Sequence, residues 1–142
     1  MAQTLNRILS VEDDPDIQEV TRLSLENVGG FTVEVCSSGM EALRVAPVFK
    51  PDLILLDAIM PGMDGPETLQ ALRRLPEIET TPIVFMTAKV MRSEIERFKK
   101  LTTQDVISKP FDPLALPDKI REIWADQKPG YNLRGVSTAS AN

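Results

Sequence analysis

The sequence predicts a doubly wound α/β fold, a five-stranded parallel sheet with helices on both faces, on three observations. Short apolar runs alternate five times with segments whose apolar residues recur at helical spacing. The run Leu53–Leu56 (LILL) is apolar throughout, as a parallel strand covered on both faces must be. Every run stops at a polar residue, and in such sheets the ligand site lies beyond the carboxyl ends of the strands. Right-handed crossovers are expected between the strands.

The first strand is expected at Arg7–Val11 (RILSV), ending in Glu12, Asp13 and Asp14. Asp14-Pro15 reads as a helix cap and first helical residue. Ile17, Val20, Thr21, Ser24 and Val28 follow at helical spacing, and Gly29-Gly30 stops the helix. Phe31–Cys36 (FTVEVC) alternates as a second strand. Ser38-Gly39 opens a short helix through Met40, Leu43 and Ala46, which Pro47 is expected to close. The third strand ends at Asp57 and is followed by the loop Met60-Pro61-Gly62-Met63-Asp64-Gly65. Asp64 caps the next helix, with Leu69 and Leu72 buried. Pro82–Met86 (PIVFM) is the fourth strand, ending at Thr87-Ala88-Lys89, and Met91, Ile95 and Phe98 mark one face of the helix after it. Asp105–Ser108 is the fifth strand, ending at Lys109-Pro110-Phe111. Asp112-Pro113 caps a last helix that buries Leu116, Ile120, Ile123 and Trp124. Pro117 requires either an irregular first turn or a helix that begins at Pro117 itself.

The 142 residues suit one domain, expected over 1–127. Residues 128–142 turn to Pro, Gly, Asn, Ser, Thr and Ala and are expected to form a flexible tail that carries Tyr131. The formal net charge of −5 argues against direct nucleic-acid binding, which needs a basic patch. Cys36 is the only cysteine, so no disulfide can form within the chain, and a small apolar strand residue is its expected role. The chain has no histidine, which excludes histidine acid–base chemistry and a phosphohistidine of its own. No leader pattern opens the sequence and no apolar run reaches membrane-spanning length, so a cytoplasmic protein is expected.

The strand ends supply one chemical set: Glu12, Asp13 and Asp14 after the first strand, Asp57 after the third, Thr87 after the fourth, Lys109 after the fifth. Clustered carboxylates repel unless a cation lies between them. Oxygen ligands without histidine or thiolate favour a hard ion, Mg²⁺ with Mn²⁺ as an alternative. Around a phosphoryl group, Asp57 would be the nucleophile, Mg²⁺ and Lys109 the positive charge, Thr87 a hydrogen-bond donor, and Ala88 a small neighbour leaving room for the donor.

These motifs, VEDD at 11–14, LLDAIMPGMDG at 55–65, MTA at 86–88 and SKPF at 108–111, resemble those of the receiver domains of bacterial two-component response regulators, particularly the single-domain chemotaxis type. The resemblance covers roughly residues 6–126. It implies a flavodoxin-like (βα)5 fold with strand order 2-1-3-4-5. It implies Asp57 as phosphoacceptor, with Asp13 a direct Mg²⁺ ligand, Glu12 acting largely through water, and the Ile59 backbone carbonyl a further ligand. Thr87 and Lys109 match the family's hydroxyl and lysine, and Lys109-Pro110 its cis peptide. The implied partners are a sensor histidine kinase or histidine phosphotransfer protein upstream, and a downstream protein bound by the helix-four, strand-five, helix-five face. The chain is then a phosphoacceptor signalling domain that catalyses transfer to, and hydrolysis from, its own Asp57. Val106 departs from the pattern, replacing the aromatic residue that the family commonly has three positions before the lysine. The apolar Ile59, beside Lys89, implies a long-lived phospho-Asp57, since it positions no attacking water.

The competing readings are a non-phosphorylated scaffold of the same fold and a receiver excised from a larger regulator. An aspartyl-phosphate phosphatase would carry a second Asp where this chain has Ile59. A flavin carrier would want hydroxyls where it has Glu12–Asp14, and a P-loop enzyme would want G-x-x-x-x-G-K-[ST], which is missing.

Overall fold

The structure is a computed structural model that describes residues 4–88, 91–102 and 104–126. Strands β1 (Arg7–Val11), β2 (Thr32–Cys36), β3 (Leu53–Asp57), β4 (Ile83–Thr87) and β5 (Ile107–Ser108) form one parallel sheet in the order β2-β1-β3-β4-β5. The helices are α1 (Pro15–Leu23), α2 (Gly39–Phe49), α3 (Gly65–Arg73), α4 (Arg92–Thr102) and α5 (Leu116–Ala125). The fold class and strand order expected from the sequence are both present.

Strand side chains alternate across the pleat and so feed two cores. Leu9, Val11, Ile54, Leu56, Ile83 and Phe85 face Ala42 and Ala46 of α2, Leu69 and Leu72 of α3, and Phe98 of α4. Ile8, Leu53, Leu55, Val84, Met86 and Ile107 pack on the opposite side with Leu25 and with Leu116, Ile120 and Ile123 of α5. The Phe85 and Phe98 rings meet at 5.0 Å between centroids. Trp124 is partly buried against the α5 side.

Local chemistry moved several boundaries. After α1 the chain runs on as a π turn, Ser24–Val28, with the Gly29 N–H bonded to the Ser24 carbonyl at 3.0 Å. This wider turn changes the phase of the buried face. Thr21, Ser24 and Leu25 are buried, whereas Val20 and Val28 are 40% and 50% exposed. The Phe31 N–H bonds back to the Leu25 carbonyl, so β2 begins one residue later than expected. Pro47 does not end α2. It lies in the last turn, where a missing N–H costs a single bond, and Lys50 ends the helix in the left-handed conformation at φ 56°. Met40, on the expected apolar face of α2, is exposed, and Ala42 is buried instead.

β5 has two residues rather than four, because the Asp105 carboxylate takes the Val106 N–H at 2.8 Å and keeps it out of the ladder. Asp112 caps a turn rather than a helix. Its side chain accepts from the Leu114 N–H, and its carbonyl accepts from both Ala115 and Leu116. Helix α5 therefore starts at Leu116, with Pro117 buried in its first turn, where no intrahelical donor is required. Met91 precedes α4 and is exposed. The expected tail 128–142, Tyr131 and Lys89 lie outside the described residues.

Candidate functional site

Parallel strands put all their carboxyl ends on one edge of the sheet, and the register decides which residues stand level. Val11 pairs with Leu56, which brings Glu12 beside Asp57. Asp57 pairs with Met86, and Thr87 with Ser108, so Thr87 and Lys109 arrive at the same edge. The ladder is extended past the strands by Ala58 N–H to the Met86 carbonyl and Lys109 N–H to the Thr87 carbonyl, each 2.9 Å. Gly65 lets α3 start directly on this edge. A Cβ there would lie 2.7 Å from Ala58 Cα and from the Asp57 carbonyl oxygen.

The site is compact. Carboxylate oxygens of Glu12, Asp13 and Asp57 all lie within 4.8 Å of one another. Lys109 Nζ donates to Glu12 Oε1 at 2.9 Å and lies 3.3 Å from Asp57 Oδ2. Glu12 and Asp57 are buried and Asp13 is exposed. The other oxygen of Glu12 accepts the Asp14 N–H at 3.2 Å, and Asp57 Oδ1 accepts the Ile59 N–H at 3.2 Å. Asp14 itself caps α1, as expected, by accepting from Asp16 N–H. Thr87 is buried at the end of β4. Ala88 is exposed and, with Asp16, Ile17, Val20, Lys109, Pro110 and Phe111, lines an apolar recess of about 400 Å³ beside the acids. Ile59, two residues past Asp57, is 60% exposed. The Lys109-Pro110 peptide is cis.

Burial raises the Glu12 carboxyl above its ordinary value, and the neighbouring Asp57 charge adds to this. The hydrogen bond from Lys109 only partly offsets both. Burial would by itself depress the Lys109 ammonium, but its bond to Glu12 and the Asp57 charge outweigh that and hold it above the ordinary lysine value.

Three carboxylates thus face one ammonium, and the converging ligand atoms found among the described residues are all carboxylate oxygens. The set fits a hard divalent cation: it supplies a few oxygens and leaves other positions to water or phosphate. The structure therefore assembles Glu12, Asp13, Asp57 and Lys109 into one cluster, with Thr87, Ala88 and Ile59 on its border. The sequence reading missed Gln18. Its amide nitrogen donates to the Glu12 carbonyl at 2.6 Å and to Ser37 Oγ at 3.2 Å. Its place one turn beyond the Asp14 cap was the only sequence signal for this.

Fold and site together define a class, the doubly wound α/β domain with an acidic pocket suited to Mg²⁺ and phosphoryl acceptance. Residues 8–121 match the model of the response regulator receiver domain, and the chain belongs to that family. Among curated proteins it is similar to a probable transcriptional regulator, ycf29, of Porphyra purpurea, at 34% identity over 128 residues, 89% of this chain and 61% of that one. The chain spans 55–61% of the length of the first curated relatives it matches. Among solved structures it is similar to the Vibrio cholerae chemotaxis protein CheY4, with TM-score 0.77 and 28% identity, covering 84% of this chain and 99% of that chain. A receiver domain of a Pseudomonas aeruginosa sensor histidine kinase, solved with a magnesium ion coordinated in its active-site cleft, matches with TM-score 0.74 and 27% identity, covering 86% and 99%. Among the described residues no helix is long and apolar enough to cross a membrane.

Proposed function

We propose that this receiver accepts a phosphoryl group on Asp57 from the phosphohistidine of a sensor histidine kinase or histidine phosphotransfer protein, in the cytoplasm. An Asp57 oxygen forms the new O–P bond while the donor's N–P bond breaks and its electron pair stays with the imidazole. Lys109, already 3.3 Å from Asp57, would meet the negative charge of the transferred group, and the Thr87 hydroxyl would donate a hydrogen bond to it. Glu12, Asp13, Asp57 and the Ile59 carbonyl would hold Mg²⁺, or Mn²⁺, which supplies further positive charge to the phosphoryl oxygens. Ala88 leaves room for the donor, and the recess it lines opens beside Lys109. The same groups serve hydrolysis. The apolar, exposed Ile59 side chain orients no water, so the adduct is expected to outlast seconds. Phosphorylation would then alter the surface formed by α4, β5 and α5, where a downstream protein binds.

The observation that carries this reading is the Lys109 ammonium 2.9 Å from Glu12 and 3.3 Å from Asp57, inside a cluster of three carboxylates spanning 4.8 Å. Intact mass after incubation with a small phosphoryl donor and Mg²⁺ tests it. One phosphoryl adduct is expected, absent in Asp57→Asn and blocked by a chelator. No adduct with any donor would leave the non-phosphorylated scaffold as the better reading.

A further inference from the structure

Asp13 is the exposed member of the acidic cluster. Its position depends on how the turn after β1 is held. That turn is fixed at three points. The Glu12 N–H donates to the Cys36 carbonyl of β2 at 2.9 Å. The Asp14 N–H donates to the Glu12 carboxylate at 3.2 Å. The Gln18 amide donates to the Glu12 carbonyl at 2.6 Å.

The third contact has a particular consequence. The Glu12 carbonyl, the Asp13 nitrogen and the Asp13 Cα belong to one planar peptide unit. A donor on that carbonyl sets the tilt of the plane, and with it the direction in which the Asp13 side chain leaves the backbone. Gln18 is itself held. Its own N–H bonds to the Asp14 carbonyl at 2.9 Å within α1, and its amide also donates to Ser37 Oγ at 3.2 Å. Ser37 is in turn anchored to α2, its N–H donating to Glu41 Oε1 at 2.7 Å. A chain of contacts thus runs from the start of α2 through Ser37 and Gln18 to the peptide that carries Asp13.

We propose that Gln18 is a positioning residue for cation binding, acting through the Glu12–Asp13 peptide to hold the Asp13 carboxylate in reach of Glu12 and Asp57. The proposal rests on the Mg²⁺ reading of the acidic cluster. Only a side chain with a donor can serve here, because the group it meets is a carbonyl oxygen. Gln18→Met keeps the length and loses the donor. Gln18→Glu keeps the shape and turns a carboxylate toward the carbonyl.

The test is Mg²⁺ affinity by calorimetry on the full chain, beside thermal unfolding of the metal-free protein. Both variants are expected to bind Mg²⁺ about tenfold more weakly, the scale for removing an outer partner of a metal site. Their metal-free midpoints should shift by no more than about 4 °C, the scale of a single weak hydrogen bond in a domain this size. Leu23→Ala, exposed at the end of α1 and away from the recess, should retain wild-type affinity. Wild-type affinity in both Gln18 variants would overturn the proposal, as would a larger drop in midpoint, which would mark a purely structural role. Failure of the wild-type protein itself to bind Mg²⁺ would remove the metal reading and this proposal together.

Discussion

At Asp13 the balance of charge is easiest to test. Lys109 pairs with Glu12 and Asp57, while Asp13 adds a third negative charge within 4.8 Å of both. Like charges at 4 Å repel by roughly 1 kcal/mol in water and roughly 4 kcal/mol at an effective dielectric near 20, and an exposed side chain sits near the lower figure. Asp13→Asn is therefore expected to stabilise the metal-free protein by about 1 kcal/mol while weakening Mg²⁺ binding. Urea unfolding in the presence of a chelator reads the first effect, and a less stable variant there would refute the repulsion argument. The acids and the lysine were legible in the sequence because they stand at or just past the ends of the apolar runs. Gln18 was not legible, because its amide acts across a turn whose shape depends on β2.

Helix α3 depends on one hydrogen atom. It starts with a capping box, in which Asp64 accepts from Glu67 N–H and Glu67 accepts from Asp64 N–H, and its first residue is pressed against the end of β3. Gly65→Ala would drive a Cβ to 2.7 Å from backbone atoms that cannot swing away. A loss of about 1–3 kcal/mol is expected, together with weaker phosphorylation, since the displaced backbone carries Asp57. Before β5, Asp105 joins two helices through Lys99 of α4 at 3.7 Å and Lys119 of α5 at 3.1 Å. Burial alone would raise its carboxyl, but the Val106 N–H and Lys119 outweigh that and hold it below the ordinary value of 3.8. A depressed carboxylate contributes stability that is present above the unfolded value and disappears as pH falls through the folded one. Asp105→Asn should accordingly cost no more than about 1 kcal/mol at neutral pH, the ions being well exposed, and nothing at strongly acid pH. A cost that persisted in acid would show that charge is not its source. The early end of α2 expected at Pro47 and the longer β5 expected from residue 105 were wrong for related reasons: a proline in a last turn costs little, and one side-chain acceptor can remove a residue from a ladder.

Over the whole molecule, the buried acids link folding to pH and to the cation. The Glu12 carboxyl is raised from 4.5, so just above that pH the folded chain keeps a proton that the unfolded chain has released. Its contribution is complete below 4.5 and is lost as pH rises through the folded value. Lys109 is raised from 10.5, so the stability it contributes is present below that value and disappears at more alkaline pH. With a chelator present, Glu12 should therefore lower stability as pH climbs above 4.5, and Glu12→Gln should flatten that slope. Saturating Mg²⁺ should reverse it, adding about 2.7 kcal/mol at a hundredfold excess over Kd. Unfolding free energies across pH, with and without Mg²⁺, check this, and a metal effect independent of pH would count against Glu12 as part of the site. The sequence by itself determined the alternation of strands and helices, the parallel sheet, and the residues standing at the strand ends, because hydrophobic periodicity and the residue that breaks it are local properties. Only the tertiary structure decided that Lys109 lies 2.9 Å from Glu12 and that a glutamine of α1 holds the peptide before Asp13. Those distances depend on cross-strand register and on the packing of helices against the sheet, which join residues as much as 97 positions apart along the chain.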